Sequence, residues 1–351
     1  MSQGQHQPGI EPGQEVEIGL FRPEDAPGVA ACFRAVYGEG YPVKTYYHPR
    51  ELIAAVQRGQ IIPVVARTPR GEVVGVVNMF NSAPFKGVYE VGAGLVLPSY
   101  RERRLNHDMI GYLLETAVPL EKVPMGYGEA VLNHVYQQKT QHAMRYVATA
   151  LEVDLMPAAA YSKEKSATGR VAAMMAFRSY QPHARQVTLP PRYAAALREI
   201  YAGIDLQRTF LEADPGAALQ GVTELEVEVF DFASAARVTV REIGADLTRR
   251  MDDLLAEMRG RGVVVIQVWL NLASPLVAAA VEVLRPWGFF LGGPLPRWFD
   301  EDGLLMQKVP AQPNWRDIKI QGQQNQRIFD LVRQDWQELQ GGDPAREGTS
   351  A

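Results

Sequence analysis

The sequence predicts a mixed α/β protein built from two domains, and three observations carry that prediction. β-Branched runs alternate with apolar-periodic helical segments, one pair of runs reads as an antiparallel hairpin, and 351 residues with 46% hydrophobic content are enough to bury two cores. A mixed sheet with helices on its faces is the natural packing for that order of elements.

The first element is the run VEIGLFR, residues 16–22, which reads as a strand. Pro23, Glu24 and Asp25 then open a helix whose apolar face carries Val29, Cys32, Phe33 and Val36. A second short helix starts at Pro49 with Leu52, Ile53 and Val56, and Gly59 suits its C-terminal cap. Next, IIPVVARTPRGEVVGVVNMF gives two strands around a Pro69-Arg70-Gly71 turn, the expected hairpin. YEVGAGLVL, residues 89–97, is a further strand in which Gly92 and Gly94 suggest a bulge or a close backbone approach.

A helix with Leu105, Met109, Ile110, Leu113, Leu114 and Ala117 on its apolar face starts at about Arg101. The strand GEAVLN, a helical stretch through Gln138, Ala143 and Met144, and the strand ALEVDLM ending at Pro157 complete the first half. Residues 158–170 are small and polar and read as a linker between domains at 16–157 and 171–340, with flexible tails at 1–15 and 341–351. The second half partly repeats the first. Asn133 and Asn271 each end an apolar strand, and Pro157 and Pro296 close the next helix-strand units, 24 and 25 residues on.

Composition excludes several classes. The 40 acidic and 36 basic residues are spread along the chain, net charge −4, so nothing drives it toward nucleic acid. No run approaches the 18 or more apolar residues of a membrane span, and the start MSQGQHQPGIEPGQ lacks a secretory apolar region. Cys32, the single cysteine, makes no intramolecular disulfide, and a cytoplasmic protein is expected. On its apolar helix face, Cys32 is read as a buried structural thiol.

The strand-turn-helix LVLPSYRERRLNHDMI resembles the acetyl-CoA-binding element of the GNAT superfamily of acyl-CoA N-acyltransferases. Its usual form is a strand, Pro, two residues, Arg-x-x-Gly-x-Gly/Ala and a helix. The segment YGEGYPVKTYYHPRELIAAVQRGQIIPVVA, with GEAVLNHVYQQK, is similar to an uncharacterised bacterial family with two GNAT domains. That resemblance continues through RVAAMMAF, DLTRRMDDLLAEMRGRG, NLASPL and WGFFLGGPLP, and so covers nearly the whole chain. It implies a GNAT fold in tandem with a second, degenerate GNAT-like domain.

The resemblance further implies a transferase that moves an acetyl group from acetyl-CoA, as co-substrate, to a small-molecule or peptide amine. Backbone N–H groups at a helix start would face the coenzyme A pyrophosphate. Leu95, Val96 and Leu97 would contact the pantetheine, and Arg101, Arg103, Arg104, Leu105, Asn106 and Asn133 would complete the cofactor-binding set. The chain departs from the motif at both glycine positions, held by Arg104 and Asn106, and Glu102 stands where a further glycine is common. Arg103 and Arg104 can supply charge-assisted contacts or obstruct the phosphates. Ala150 and Asp154 replace further family glycines, and Arg145-Tyr146 replaces a Gly-Phe pair.

Glu90, at the start of its strand, is the first candidate base, with a surface carboxylate as the bland alternative. Glu129 is the second candidate, because a buried strand rarely carries an unpartnered charge. His134 is a base, a substrate-orienting group, or a helix-cap or core histidine. Tyr136 is the nearest match to the family's acid, with Tyr127 and Tyr146 as alternatives. His134 and His142 lack acidic or thiol companions, so no metal is expected. The second half lacks the phosphate turn, carries Leu284 where the family has a tyrosine, and is expected to be non-catalytic. Exposed apolar residues near Trp298, Trp315 and Trp336 are a candidate surface for a homodimer.

Overall fold

The computed structural model describes residues 10–161 and 169–341. Residues 1–9, 162–168 and 342–351, which hold most of the expected tails and linker, lie outside the described residues, as do the side chains of Glu102 and Arg103. The chain divides into two compact units, Met1–Gly126 and Tyr127–Ala351.

In the first unit, β1 (Glu17–Leu20), β2 (Ile61–Arg67), β3 (Val73–Phe80) and β4 (Val88–Val96) form an antiparallel meander in that order. α1 (Ala26–Tyr37) and α2 (Pro49–Gln57) precede the expected hairpin, which is β2 and β3. α1 buries Val29, Cys32 and Phe33, and the Cys32 thiol donates to the Val73 carbonyl at 3.1 Å. Burial pushes that thiol up to about 12, which keeps it protonated and inert, as expected of a structural cysteine. The join between β2 and α1 is a buried ion pair, Arg67 Nε to Asp25 Oδ1 at 2.6 Å.

The expected bulge is present. Leu95 pairs with Val76 and Gly92 with Asn78, so Ala93 and Gly94 face the single residue Val77. Ala93 takes φ +48, and Asn78, fully buried, holds the loop by donating from Nδ2 to the Ala93 carbonyl at 2.8 Å. A 3₁₀ turn over Pro98–Arg103 leads into α3 (Leu105–Tyr112), which continues through a π-helical turn, Leu113–Ala117, into α4 (Val118–Leu120).

The second unit begins within β5 (Met125–Val131), succeeded by α5 (Tyr136–Ala143), β6 (Val147–Pro157) and β7 (Arg170–Ser179), in spatial order β5-β7-β6. β8 (Arg185–Leu189), α6 (Ala194–Tyr201) and β9 (Arg208–Glu212) make a parallel two-stranded pair with its crossover helix. A five-stranded sheet is built from β10 (Glu224–Phe230), β11 (Ala235–Glu242), β12 (Val265–Asn271), β13 (Phe290–Leu295) and β14 (Gly303–Lys308), ordered β10-β11-β12-β14-β13. α7 (Leu247–Gly260) connects the parallel neighbours β11 and β12, α8 (Val277–Leu284) connects β12 to β13, and α9 (Gln323–Gly341) closes the described chain.

The unit contains one arrangement twice. A strand, a helix and two strands, with the last strand lying between the other two, describes both β5-α5-β6-β7 and β12-α8-β13-β14. The two copies pack closely: a Cβ on Gly293 of β13 would meet the Thr149 carbonyl of β6 at 2.3 Å. Gln307 of β14 donates to the Leu151 carbonyl and accepts from the Val153 N–H.

The expected dimer surface needs correction at Trp298. This residue is 1% exposed, and its indole packs edge-on against Tyr127, Phe177 and Trp269, so it belongs to the core and offers no surface for a dimer. The large indole and its aromatic neighbours bury more apolar area together than apart. Trp315 and Trp336 are half-buried against each other, with ring centroids 5.6 Å apart.

Candidate functional site

In the first unit the candidate residues run along β4 and into α3. Glu90 is half-buried beside Phe80, and its Oε2 accepts from the Ser82 hydroxyl at 2.8 Å. Its charge reaches the phenols of Tyr41 and Tyr46, which burial already raises well above the ordinary tyrosine value. Those rings belong to a cluster on α1 and the segment after it: Phe33 stacks on Tyr46 at 4.5 Å and meets Tyr41 edge-on at 4.9 Å. Tyr46 is 1% exposed and its hydroxyl has no hydrogen-bond partner.

The side chains of Leu95, Val96 and Leu97 are buried; Leu95 pairs with Val76, and the Leu97 N–H donates to the Val74 carbonyl at 2.9 Å. Arg101 is exposed and donates from Nε to the Val96 carbonyl at 3.1 Å. Arg104 is exposed and takes φ +55, ψ +11, a left-handed conformation, immediately before α3. A residue with a Cβ adopts that conformation at a steric cost, and glycine adopts it freely. Leu105 is buried, whereas Asn106 is exposed, with its Oδ1 3.6 Å from where a Cβ on Gly94 would lie.

In the second unit Glu129 lies on β5, and its Oε1 is 3.0 Å from Nη2 of Arg237. Asn133 is buried just beyond the strand. His134 is half-buried with an unpartnered Nδ1, and its ring lies 5.4 Å from that of Tyr136, which is 73% exposed. Tyr127 is sealed in the core, and Tyr146 is hydrogen-bonded to Tyr180 through the two hydroxyls at 2.7 Å. Burial raises the Tyr146 phenol well above its ordinary value.

Sequence reasoning missed Glu152, Arg237 and Gln267. Glu152 on β6 is fully buried; its Oε1 accepts from Gln267 Nε2 at 2.8 Å and from Arg237 Nη2 at 3.2 Å. Desolvation, then the neighbouring Glu129 charge, push its carboxyl up to about 8, against the opposing pull of Arg237. The guanidinium is held by Gln267 Oε1 at 2.9 Å and lies over the Phe230 and Trp269 rings. The available signal was a charge inside the apolar strand ALEVDLM, where burial demands a partner. Nothing in the sequence named that partner, which stands 85 residues away.

Bulged strand, left-handed residue and helix start form a strand-turn-helix within a mixed α/β protein. Over about half of its length the chain is similar to solved structures of GNAT-superfamily N-acetyltransferases. The ribosomal-protein-S5-alanine acetyltransferase from Vibrio fischeri is 11% identical, with TM-score 0.37 over 48% of this chain and 97% of that one. An N-acetyltransferase from Staphylococcus aureus is 11% identical, with TM-score 0.38 over 48% of this chain and 100% of that one. An aminoglycoside 6'-N-acetyltransferase complexed with coenzyme A is 14% identical, with TM-score 0.34 over 48% and 99%. No protein-family model matches the chain, and no curated protein matches it. Among the described residues no helix is long and apolar enough to cross a membrane.

Proposed function

We propose that this chain is an N-acetyltransferase that moves the acetyl group of acetyl-CoA directly to an amine. The observation that carries the reading is the bulged β4 leading to a left-handed residue and the start of α3. The bulge frees backbone groups at Ala93 and Gly94 from the ladder. Arg104 takes a left-handed conformation, which glycine adopts freely, and this supports reading the segment as a phosphate turn that has lost its glycine. Such a turn fits the pyrophosphate of coenzyme A, with Arg101, Arg103, Arg104, Leu105 and Asn106 around it and Leu95 to Leu97 along the pantetheine.

In the transfer the amine nitrogen bonds to the acetyl carbon, the carbon–sulfur bond breaks, a base takes the amine proton and the thiolate is protonated. Glu90 and Glu129 are the two candidate bases, and Tyr136 and His134 remain candidates for the second proton transfer. In this reading residues 16–157 act as the catalytic domain and 171–340 as a non-catalytic partner of the same ancestry.

A second reading has one observation in its favour. Arg104 and Asn106, both exposed, stand at the two glycine positions of the motif, and Asn106 Oδ1 lies 3.6 Å from where a Cβ on Gly94 would be. A protein whose side chains obstruct the phosphates there would bind a different ligand or a protein partner and would not turn over acetyl-CoA.

Calorimetric titration with acetyl-CoA, and with desulfo-CoA as the non-reactive control, separates the two. Micromolar binding of both is expected. If neither binds the folded wild-type protein but both bind the Arg104→Gly/Asn106→Gly variant, the side chains block the site and the second reading stands.

A further inference from the structure

One guanidinium nitrogen in the second unit serves two carboxylates. Nη2 of Arg237 lies 3.0 Å from Glu129 Oε1 and 3.2 Å from Glu152 Oε1. The two acids differ in their access to water: the Glu129 side chain is 21% exposed and that of Glu152 is sealed. Oε2 of Glu152 is buried without a hydrogen-bond partner, the state expected of a carboxyl that keeps its proton because no donor stabilises its second oxygen.

The cluster is held in register by three strands. Arg237 of β11 stands opposite Gln267 of β12, which stands opposite Gln307 of β14, and this polar row faces β6. Gln307 fixes the backbone on both sides of Glu152, and Gln267 ties the Glu152 carboxyl to the Arg237 guanidinium. The charged groups acting on Glu152 are Glu129 from β5 and Arg237 from β11. β12 and β14 present neutral amides, and β7 presents Ala173 in register.

We propose that Glu152 and Arg237 are positioning residues for Glu129, the proton on Glu152 deciding how far the single guanidinium is committed to the Glu129 carboxylate. With Glu152 protonated, Arg237 and Glu129 form a neutral pair. Loss of the proton adds a second negative charge against the same nitrogen and divides its hydrogen bonding between the two carboxylates. The inference rests on the reading of Glu129 as the group that accepts the amine proton.

Two measurements test it. The first tracks the ¹³C carboxyl signal of Glu129, identified by its loss in Glu129→Gln, across pH 4 to 10. A second inflection near pH 8, where Glu152 ionises, is expected in the wild-type protein and absent from Glu152→Gln. Arg237→Lys, which keeps the charge but not the two-pronged geometry, moves that inflection to higher pH. A wild-type Glu129 signal without the second inflection overturns the inference without recourse to any variant.

The second measurement is the pH dependence of kcat/KM with acetyl-CoA and an amine, where the same step is expected in the wild-type profile and not in Glu152→Gln. The same step persisting in Glu152→Gln overturns the inference. Absence of turnover in the wild-type protein counts against the acetyltransferase reading alone, and the carboxyl titration then decides the coupling by itself.

Discussion

Arg104 holds a left-handed backbone conformation that glycine adopts more freely. Its φ of +55 places it in a region where a Cβ crowds the backbone at a cost of about 1 kcal/mol. Arg104→Gly relieves that strain but adds about 0.5 kcal/mol or more of unfolded-chain entropy, so a net stabilisation of the first unit of at most about 0.5 kcal/mol is expected, read as a slightly higher urea midpoint. The arginine at this position was legible in the sequence but its left-handed backbone was not, because a dihedral angle is set by the packing of the elements on either side of it. Glu152 makes the complementary case. Its folded carboxyl binds a proton up to about pH 8, far above its ordinary value of 4.5. The proton-bound native state is favoured at acid pH, so this group's contribution is complete below about pH 4.5 and is lost as pH rises toward 8. Thermal midpoints should fall across that window in the wild-type protein, and the fall should flatten in Glu152→Gln.

At the scale of elements, most strands and helices announced themselves. The hairpin of β2 and β3, the capped helix α2 with Gly59 at φ +66, and the amphipathic α3 arise from β-branched runs, Pro and Gly placement and helical periodicity. Those signals are local, so a single chain displays them. The bulge in β4 was legible as a pair of glycines, but the residue holding it open, Asn78, lies on another strand. Asn78→Ala removes a buried donor to the Ala93 carbonyl and is expected to cost about 1–3 kcal/mol. Faster amide exchange localised to β3 and β4 would mark the bulge as the element affected. By contrast, β8, β9 and β14 are strands of five or six residues, too short to display a clear period, and their pairing comes from partners elsewhere in the chain.

At the scale of the whole molecule, the repeated strand order of the second unit depends on close contact between its copies. Gly293 takes φ +133, and a Cβ there would strike the Thr149 carbonyl on β6. Gly293→Ala should cost on the order of 3 kcal/mol or more, combining backbone strain with a clash, and lower the unfolding midpoint of the second unit. The sequence by itself determined the class of fold, the order of most elements, the buried thiol and the strand-turn-helix, since each is written in neighbouring residues through periodicity, capping and turn chemistry. Only the tertiary structure decided which charges meet. Glu129 and Glu152 share Arg237 and Trp298 enters the core, because contact depends on strand register and sheet packing. Those arise from the summed burial of residues far apart in the chain and are carried by no segment alone.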